Sequence, residues 1–150
     1  MMQKVLLTIS LLVAMVFSAQ AQGEIKWLTF EEAAEKNQKA PKMVLVDVYT
    51  DWCGWCKKMD KGTFTDPAVV RYVNENFYPV KMNAEDNKRK FNFRGHEYTE
   101  QTMSRAMRVS SYPNFIIMDA AMENITQMPG YREADNFLET LQAVLQQFNP

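Results

Sequence analysis

Apolar and polar positions change period several times along this chain, and each change marks an element. Thr29-Phe30-Glu31-Glu32 sets a hydroxyl three residues ahead of a carboxylate, the reciprocal pattern of a capping box. It predicts a helix to about Asn37, ended by Lys39-Ala40-Pro41-Lys42. Met43 to Tyr49 is apolar almost throughout rather than alternating, which predicts a central strand covered on both faces. Lys57, Lys58 and Met59 then continue a helix that Gly62 ends or bends. Asp66-Pro67 supplies an N-cap and a proline at N1 for the next helix, which buries Val69, Val70 and Val73 and runs to about Asn76. Phe77 to Asn83 reads as a second strand.

The stretch from Ala84 to Tyr98 is polar and basic, with Lys88, Arg89, Lys90 and Arg94 interleaved with Phe91 and Phe93. It is expected to be an inserted surface loop with its two aromatics packed down; the sharper alternative is a partner-docking surface. Thr99 to Val109 predicts a helix whose stripe of Met103, Ala106 and Met107 is core rather than a set of metal ligands. Asn114 to Asp119 and Ile125 to Met128 read as a hairpin turning at Ala120 to Asn124. Gly130 breaks the pattern, and Asp135 opens a closing helix with Phe137, Leu138, Leu141, Val144, Leu145 and Phe148 on its apolar face. The order α, β, α, α, β, loop, α, β, β, α predicts an α/β fold in which parallel and hairpin-linked strands share one mixed sheet flanked by helices.

The first residues read as an export signal instead of fold. Lys4 gives a short positive region, the 13 residues Val5 to Phe17 are apolar apart from Thr8 and Ser10, and Ala19-Gln20-Ala21 is a small-x-small cleavage site. Thirteen residues fall short of the roughly 20 that span a bilayer, so residues 1–21 are expected to be removed. The remaining 129 residues suit a single domain with its own core. Loss of Lys4 leaves 16 basic against 18 acidic residues, a net charge of −2 that gives no support for nucleic-acid binding. Export places the chain where disulfides form and persist.

Both cysteines lie in Trp52-Cys53-Gly54-Trp55-Cys56-Lys57, directly after the apolar strand. A helix that starts at Cys53 points unpaired N–H groups and the positive end of its dipole at that sulfur, favouring thiolate over thiol. Cys53 is therefore expected to attack, and Cys56, one turn further in and shielded by the helix, to resolve the mixed disulfide. A zinc site needs about four ligands, and the chain has no second C-x-x-C and one histidine, His96, in the basic stretch. No metal and no dissociable cofactor is expected; the working group is the Cys53–Cys56 disulfide itself.

Several blocks resemble the thioredoxin superfamily, and the resemblance covers nearly all of the chain after residue 21. Val46-Asp47-Val48-Tyr49-Thr50-Asp51-Trp52-Cys53-Gly54-Trp55-Cys56-Lys57 is similar to that superfamily's active-site block, with an acidic residue six before the first cysteine and a tryptophan immediately before it. Val80-Lys81-Met82-Asn83 resembles the strand with its buried lysine, Tyr112-Pro113 its cis-proline loop, and Gly130 the glycine after its hairpin. Lys57-Lys58-Met59 and Thr63-Phe64-Thr65-Asp66-Pro67 look most like the exported domains exemplified by the C-terminal, disulfide-reducing domain of membrane thiol:disulfide interchange proteins. The chain departs in its Gly54-Trp55 dipeptide, where thioredoxin has Gly-Pro, and in Tyr112, where a small residue is usual.

The resemblance implies a thioredoxin-like fold and roles for particular residues. Asp47, buried and therefore raised in pKa, accepts the proton of Cys56, and Lys81 moderates its charge. A cis bond before Pro113 leaves the backbone of Tyr112 free to pair with an extended substrate segment, and Gly54, Trp52 and Trp55 border the groove, with Trp55 the exposed tryptophan. The function implied is an extracytoplasmic reductase of disulfides in exported proteins, recharged by a membrane electron-transfer partner and acting as a monomer. The pattern leaves open a disulfide oxidase or isomerase, because potentials in this superfamily span roughly −270 to −120 mV. It also leaves open a non-catalytic binding or redox-sensing module.

Overall fold

A computed structural model describes residues 23–148; the export signal expected over residues 1–21 lies outside the described residues. In chain order the elements are α1 (Phe30–Lys39), β1 (Met43–Tyr49), α2 (Gly54–Lys61), a 3-10 turn (Thr63–Thr65), α3 (Pro67–Asn76), β2 (Phe77–Asn83), β3 (Lys90–Phe93), β4 (His96–Thr99), α4 (Glu100–Ala106), β5 (Asn114–Met118), β6 (Ile125–Pro129) and α5 (Ala134–Phe148). The run Met43–Tyr49 can bury both faces only inside a sheet. Accordingly β1 lies between β2, parallel to it, and β5, antiparallel to it, in a sheet ordered β2-β1-β5-β6. Pro79 is tolerated in β2 because its carbonyl, and with it the missing N–H, faces the segment before α1, where it accepts from Leu28 N–H at 2.8 Å.

Side chains alternate across the sheet, so each face has its own core. Met43, Leu45, Phe115 and Ile117 pack with Met59, Val69, Val73, Phe137 and Leu141, under α2, α3 and α5. Val44, Val46, Val48, Val80, Met82 and Ile116 pack with Phe30, Ala33, Met103 and Met107, under α1 and α4. Asp47 shares the strand parity of Met43 and Leu45 and so points to the α2 side, directly opposite Lys81 in register. The caps expected from sequence form: Thr29 and Glu32 exchange hydrogen bonds, and Asp66 accepts from Ala68 and Val69 N–H.

The stretch expected as a loop is different. Residues 90–99 make a two-stranded antiparallel hairpin apart from the main sheet, β3 with β4, turning at Arg94-Gly95 with φ of 52° and 78°. Positive φ at both central residues is the two-residue turn whose twist matches paired strands. Its aromatics do pack down: Phe91 is buried with its ring 5.6 Å from that of Phe30, and Phe93 meets Phe30 edge to face at 5.0 Å. The helix expected to reach Val109 ends at Ala106, with Arg108 in the left-handed region at φ 59°.

Candidate active site

The end of β1 delivers the chain into a turn at Thr50, whose carbonyl accepts from Cys53 N–H at 3.2 Å. Cys53 is the N-cap of α2, and its sulfur accepts from the backbone N–H of Cys56 at 3.1 Å. The two sulfurs are joined as a disulfide. Both cysteines are almost fully buried, so burial does not separate attacking from resolving sulfur as the sequence suggested. What differs between them is the hydrogen bond: a helix-terminal N–H is aimed at the sulfur of Cys53, the kind of contact that favours a thiolate. Among the described residues no group of three or more His, Cys, Asp or Glu is placed to hold a metal ion.

On the α2 side of the sheet, Asp47 is 2% exposed at its side chain. Its Oδ2 accepts from Lys81 Nζ at 2.6 Å, and its Oδ1 is buried with no donor. Burial pushes its pKa up to about 6, against the opposing pull of the Lys81 charge. Burial on its own would lower Lys81, but the carboxylates of Asp47 and Asp60 together hold it above the usual lysine value. Asp60, also bonded to Lys81 Nζ, was not singled out by sequence reasoning. Its spacing of four from Cys56 along α2 carried the signal, since residues so spaced share a helix face. The ammonium is further surrounded by the rings of Trp27, Tyr49 and Phe64, with centroids at 4.9, 5.1 and 5.2 Å.

Aromatic side chains border the disulfide on both sides. Trp52 and Trp55 are 66% and 57% exposed, so Trp52 is the more exposed of the two, contrary to the expectation for Trp55. Trp52 is held outward by an edge-to-face contact with Tyr112 at 5.8 Å and by donation from its indole N–H to Glu85 at 2.9 Å. Trp55 leans on Tyr131, centroids 4.9 Å apart, with Lys58 Nζ over both rings and paired with Glu133 at 3.5 Å. Tyr131 was missed in sequence because nothing local ties it to Trp55; the fold brings the residue after Gly130 beside α2. Gly54, exposed between the two tryptophans in sequence, has open space where a β-carbon would stand.

The Tyr112–Pro113 bond is cis, and Gly130, at φ 93°, donates its N–H to the Pro113 carbonyl at 2.9 Å. Among the described residues no backbone hydrogen bond engages Tyr112. The basic hairpin, by contrast, spends its charge locally. Arg89 pairs with Glu31 and Glu100, Lys90 with Glu97 at 2.8 Å, and Arg94 donates to the Ala121 carbonyl at 2.8 Å. His96 is exposed at the start of β4, with its ring 6.4 Å from that of Tyr98.

Residues 30–145 match the family model described as a thioredoxin-like domain. Over 117 residues the chain is 28% identical to the thiol:disulfide interchange protein DsbD of Pectobacterium atrosepticum, covering 75% of this chain and 17% of that protein. It thus spans about a fifth of the length of such relatives. Among solved structures, a putative disulphide-isomerase from Bacteroides thetaiotaomicron is 28% identical with a TM-score of 0.63, covering 83% of this chain and 94% of that one. The oxidised C-terminal domain of Neisseria meningitidis DsbD is 21% identical with a TM-score of 0.57, covering 78% and 97%, and shares the fold.

Proposed function

The chain belongs to the thioredoxin-like family and has the C-x-x-C pair of a thiol:disulfide oxidoreductase; on that premise we propose that it works outside the cytoplasm as a monomeric reductase of protein disulfides. The observation that carries the direction is the surroundings of Cys53. A strong oxidant needs an unusually stabilised thiolate. Here the sulfur receives one helix-terminal N–H, the intervening Gly54 and Trp55 are uncharged, and the nearby Lys58 is engaged by Glu133 and two aromatic rings. The negative charge of Asp47 on the α2 side of the sheet opposes accumulation of a second one. Both features favour the disulfide in the domain and hence electron donation to others.

In the reaction, Cys53 thiolate attacks a substrate disulfide, forming a mixed disulfide and releasing one substrate thiolate that takes a proton from water. Asp47 takes the proton of Cys56, whose thiolate then attacks Cys53; the Cys53–Cys56 bond forms, and the second substrate sulfur leaves as a thiolate. Trp52, Trp55 and Tyr112 offer apolar surface for the segment around the substrate cysteine, and the free backbone of Tyr112 can add it as a short strand. Each turnover leaves the domain oxidised. An exported reductase therefore needs reducing equivalents from elsewhere, and a membrane electron-transfer partner is the source the resemblance implies. Export itself rests on the leader-like residues 1–21.

Thiol trapping of the protein in fractionated cells tests location and direction together. The expected result is processed protein outside the cytoplasm with Cys53 and Cys56 predominantly reduced. A pair held predominantly oxidised there would mark a disulfide donor instead, and protein retained inside would remove the export reading.

A further inference from the structure

Asp47 has almost no surface of its own: one oxygen is held by Lys81 and the other is buried without a donor. The same ammonium bonds Asp60, whose side chain is 42% exposed. Asp60 and Lys81 line an open cleft of about 370 Å3, walled otherwise by Glu24, Ile25, Trp27, Phe64 and Thr65. Neither cysteine, nor Trp52, Trp55, Tyr112 or Pro113, lines it, so its mouth is separate from the disulfide face. The rings of Trp27, Tyr49 and Phe64 hold the ammonium between the two carboxylates, and Trp27 meets Phe64 edge to face at 5.2 Å as the outer wall.

We propose that this cleft is the route by which Asp47 exchanges its proton with water during turnover, with Asp60 as the outer terminus and Trp27 as the wall that narrows it. The inference rests on the reading of Asp47 as the base for Cys56. While a protein substrate is bonded to Cys53 it covers the disulfide face, and the cleft is then the open side of the Asp47–Lys81–Asp60 chain. Protonated Asp47 passes its proton to Lys81 Nζ as Lys81 passes one to Asp60; Asp60 releases it to cleft water, and all three groups return to their starting charge. No electron moves in this step. The charged and titratable groups facing the path are Asp47 and Tyr49 from β1, Lys81 from β2, Asp60 from α2 and Glu24 from the segment before α1.

The test compares two leaving groups on Cys53, a small aryl thiol that leaves the disulfide face open and a folded single-cysteine protein that covers it. Release by Cys56 is followed in stopped flow at and below about pH 6, where Asp47 starts in part protonated and must shed that proton before it can take the one on Cys56. Asp60→Asn is expected to slow release of the protein by about tenfold or more, a share of what general acid–base transfer supplies, and release of the aryl thiol much less. Imidazole small enough to enter the cleft should restore the protein's release, and at lower concentration when Trp27→Ala is added. Equal slowing for both leaving groups, no rescue, or a shifted pH midpoint with an unchanged plateau would each overturn the proposal, the last leaving Asp60 as a charge neighbour only. Asp47→Asn is run alongside. If it resolves at the wild-type rate, the base assignment has failed; if it slows while Asp60→Asn does not, the route alone has failed.

Discussion

A carboxylate at the depth of Asp47, with one oxygen unpaired, binds a proton more tightly than the same group in an unfolded chain. Its pKa rises to about 6 from an ordinary value of 3.8, mainly through burial. Between those values the folded protein holds more protons than the unfolded one, so the contribution to stability falls as pH rises through that window. At one pKa unit per 1.36 kcal/mol, the penalty at neutral pH is up to about 3 kcal/mol. Asp47→Asn is therefore expected to raise the stability of the oxidised protein at neutral pH, with the gain vanishing near pH 3.8, read from denaturant midpoints at each pH. An unchanged or lower midpoint at neutral pH would mean that Lys81 fully compensates the burial. The C-x-x-C pair was legible in the residues themselves, directly after a continuous apolar strand, whereas Asp47 and Lys81 stood out only through the resemblance, since a lone Asp or Lys inside an apolar run does not by itself say what it faces. Asp60, Trp27 and Tyr131 were not legible, because they reach the site through tertiary packing.

At the scale of elements, the hairpin β3–β4 shows where pattern reading was diverted. Lys90-Phe91-Asn92-Phe93 alternates as a half-buried strand should, but four interspersed cations drew the reading toward a loop, and Arg94 is an unusual first residue for a turn requiring positive φ. The structure assigns the stretch a packing role: Phe91 covers Phe30 on the α1 side of the sheet while the cations pair among neighbouring carboxylates. Phe91→Ala should accordingly destabilise the domain by about 3 kcal/mol, the range for a buried phenylalanine. Lys90→Ala, which breaks an exposed pair with Glu97, should change stability by less than about 1 kcal/mol. Thermal and denaturant unfolding of the two variants checks this packing role: a loss of less than about 1 kcal/mol for Phe91→Ala would contradict it. The helix caps and both central strands were readable because capping chemistry and continuous apolar runs act locally. The early end of α4 and the 3-10 turn after Gly62 were not, since they follow from how the chain must leave one helix to meet its neighbours.

Across the whole molecule, the fold places one buried disulfide at the end of a central strand, an exposed aromatic border around it, and a buried carboxylate on that strand with a lysine between it and solvent. The mixed sheet was foreseeable from element order, whereas the separation of the disulfide face from the Asp60 cleft belongs only to the assembled structure. The Gly54-Trp55 dipeptide between the cysteines adds no positive charge, Lys58 is engaged by Glu133 and two aromatic rings, and the Asp47–Lys81–Asp60 group carries one more carboxylate than ammonium. The equilibrium between dithiol and disulfide should therefore lie toward the disulfide, which defines a reductant. The most direct test is the reduction potential of the Cys53–Cys56 pair, by equilibration against thiol–disulfide buffers with tryptophan fluorescence as the signal. A value near thioredoxin's, around −270 mV, is predicted; one around −120 mV, the range of a disulfide donor, would contradict the account.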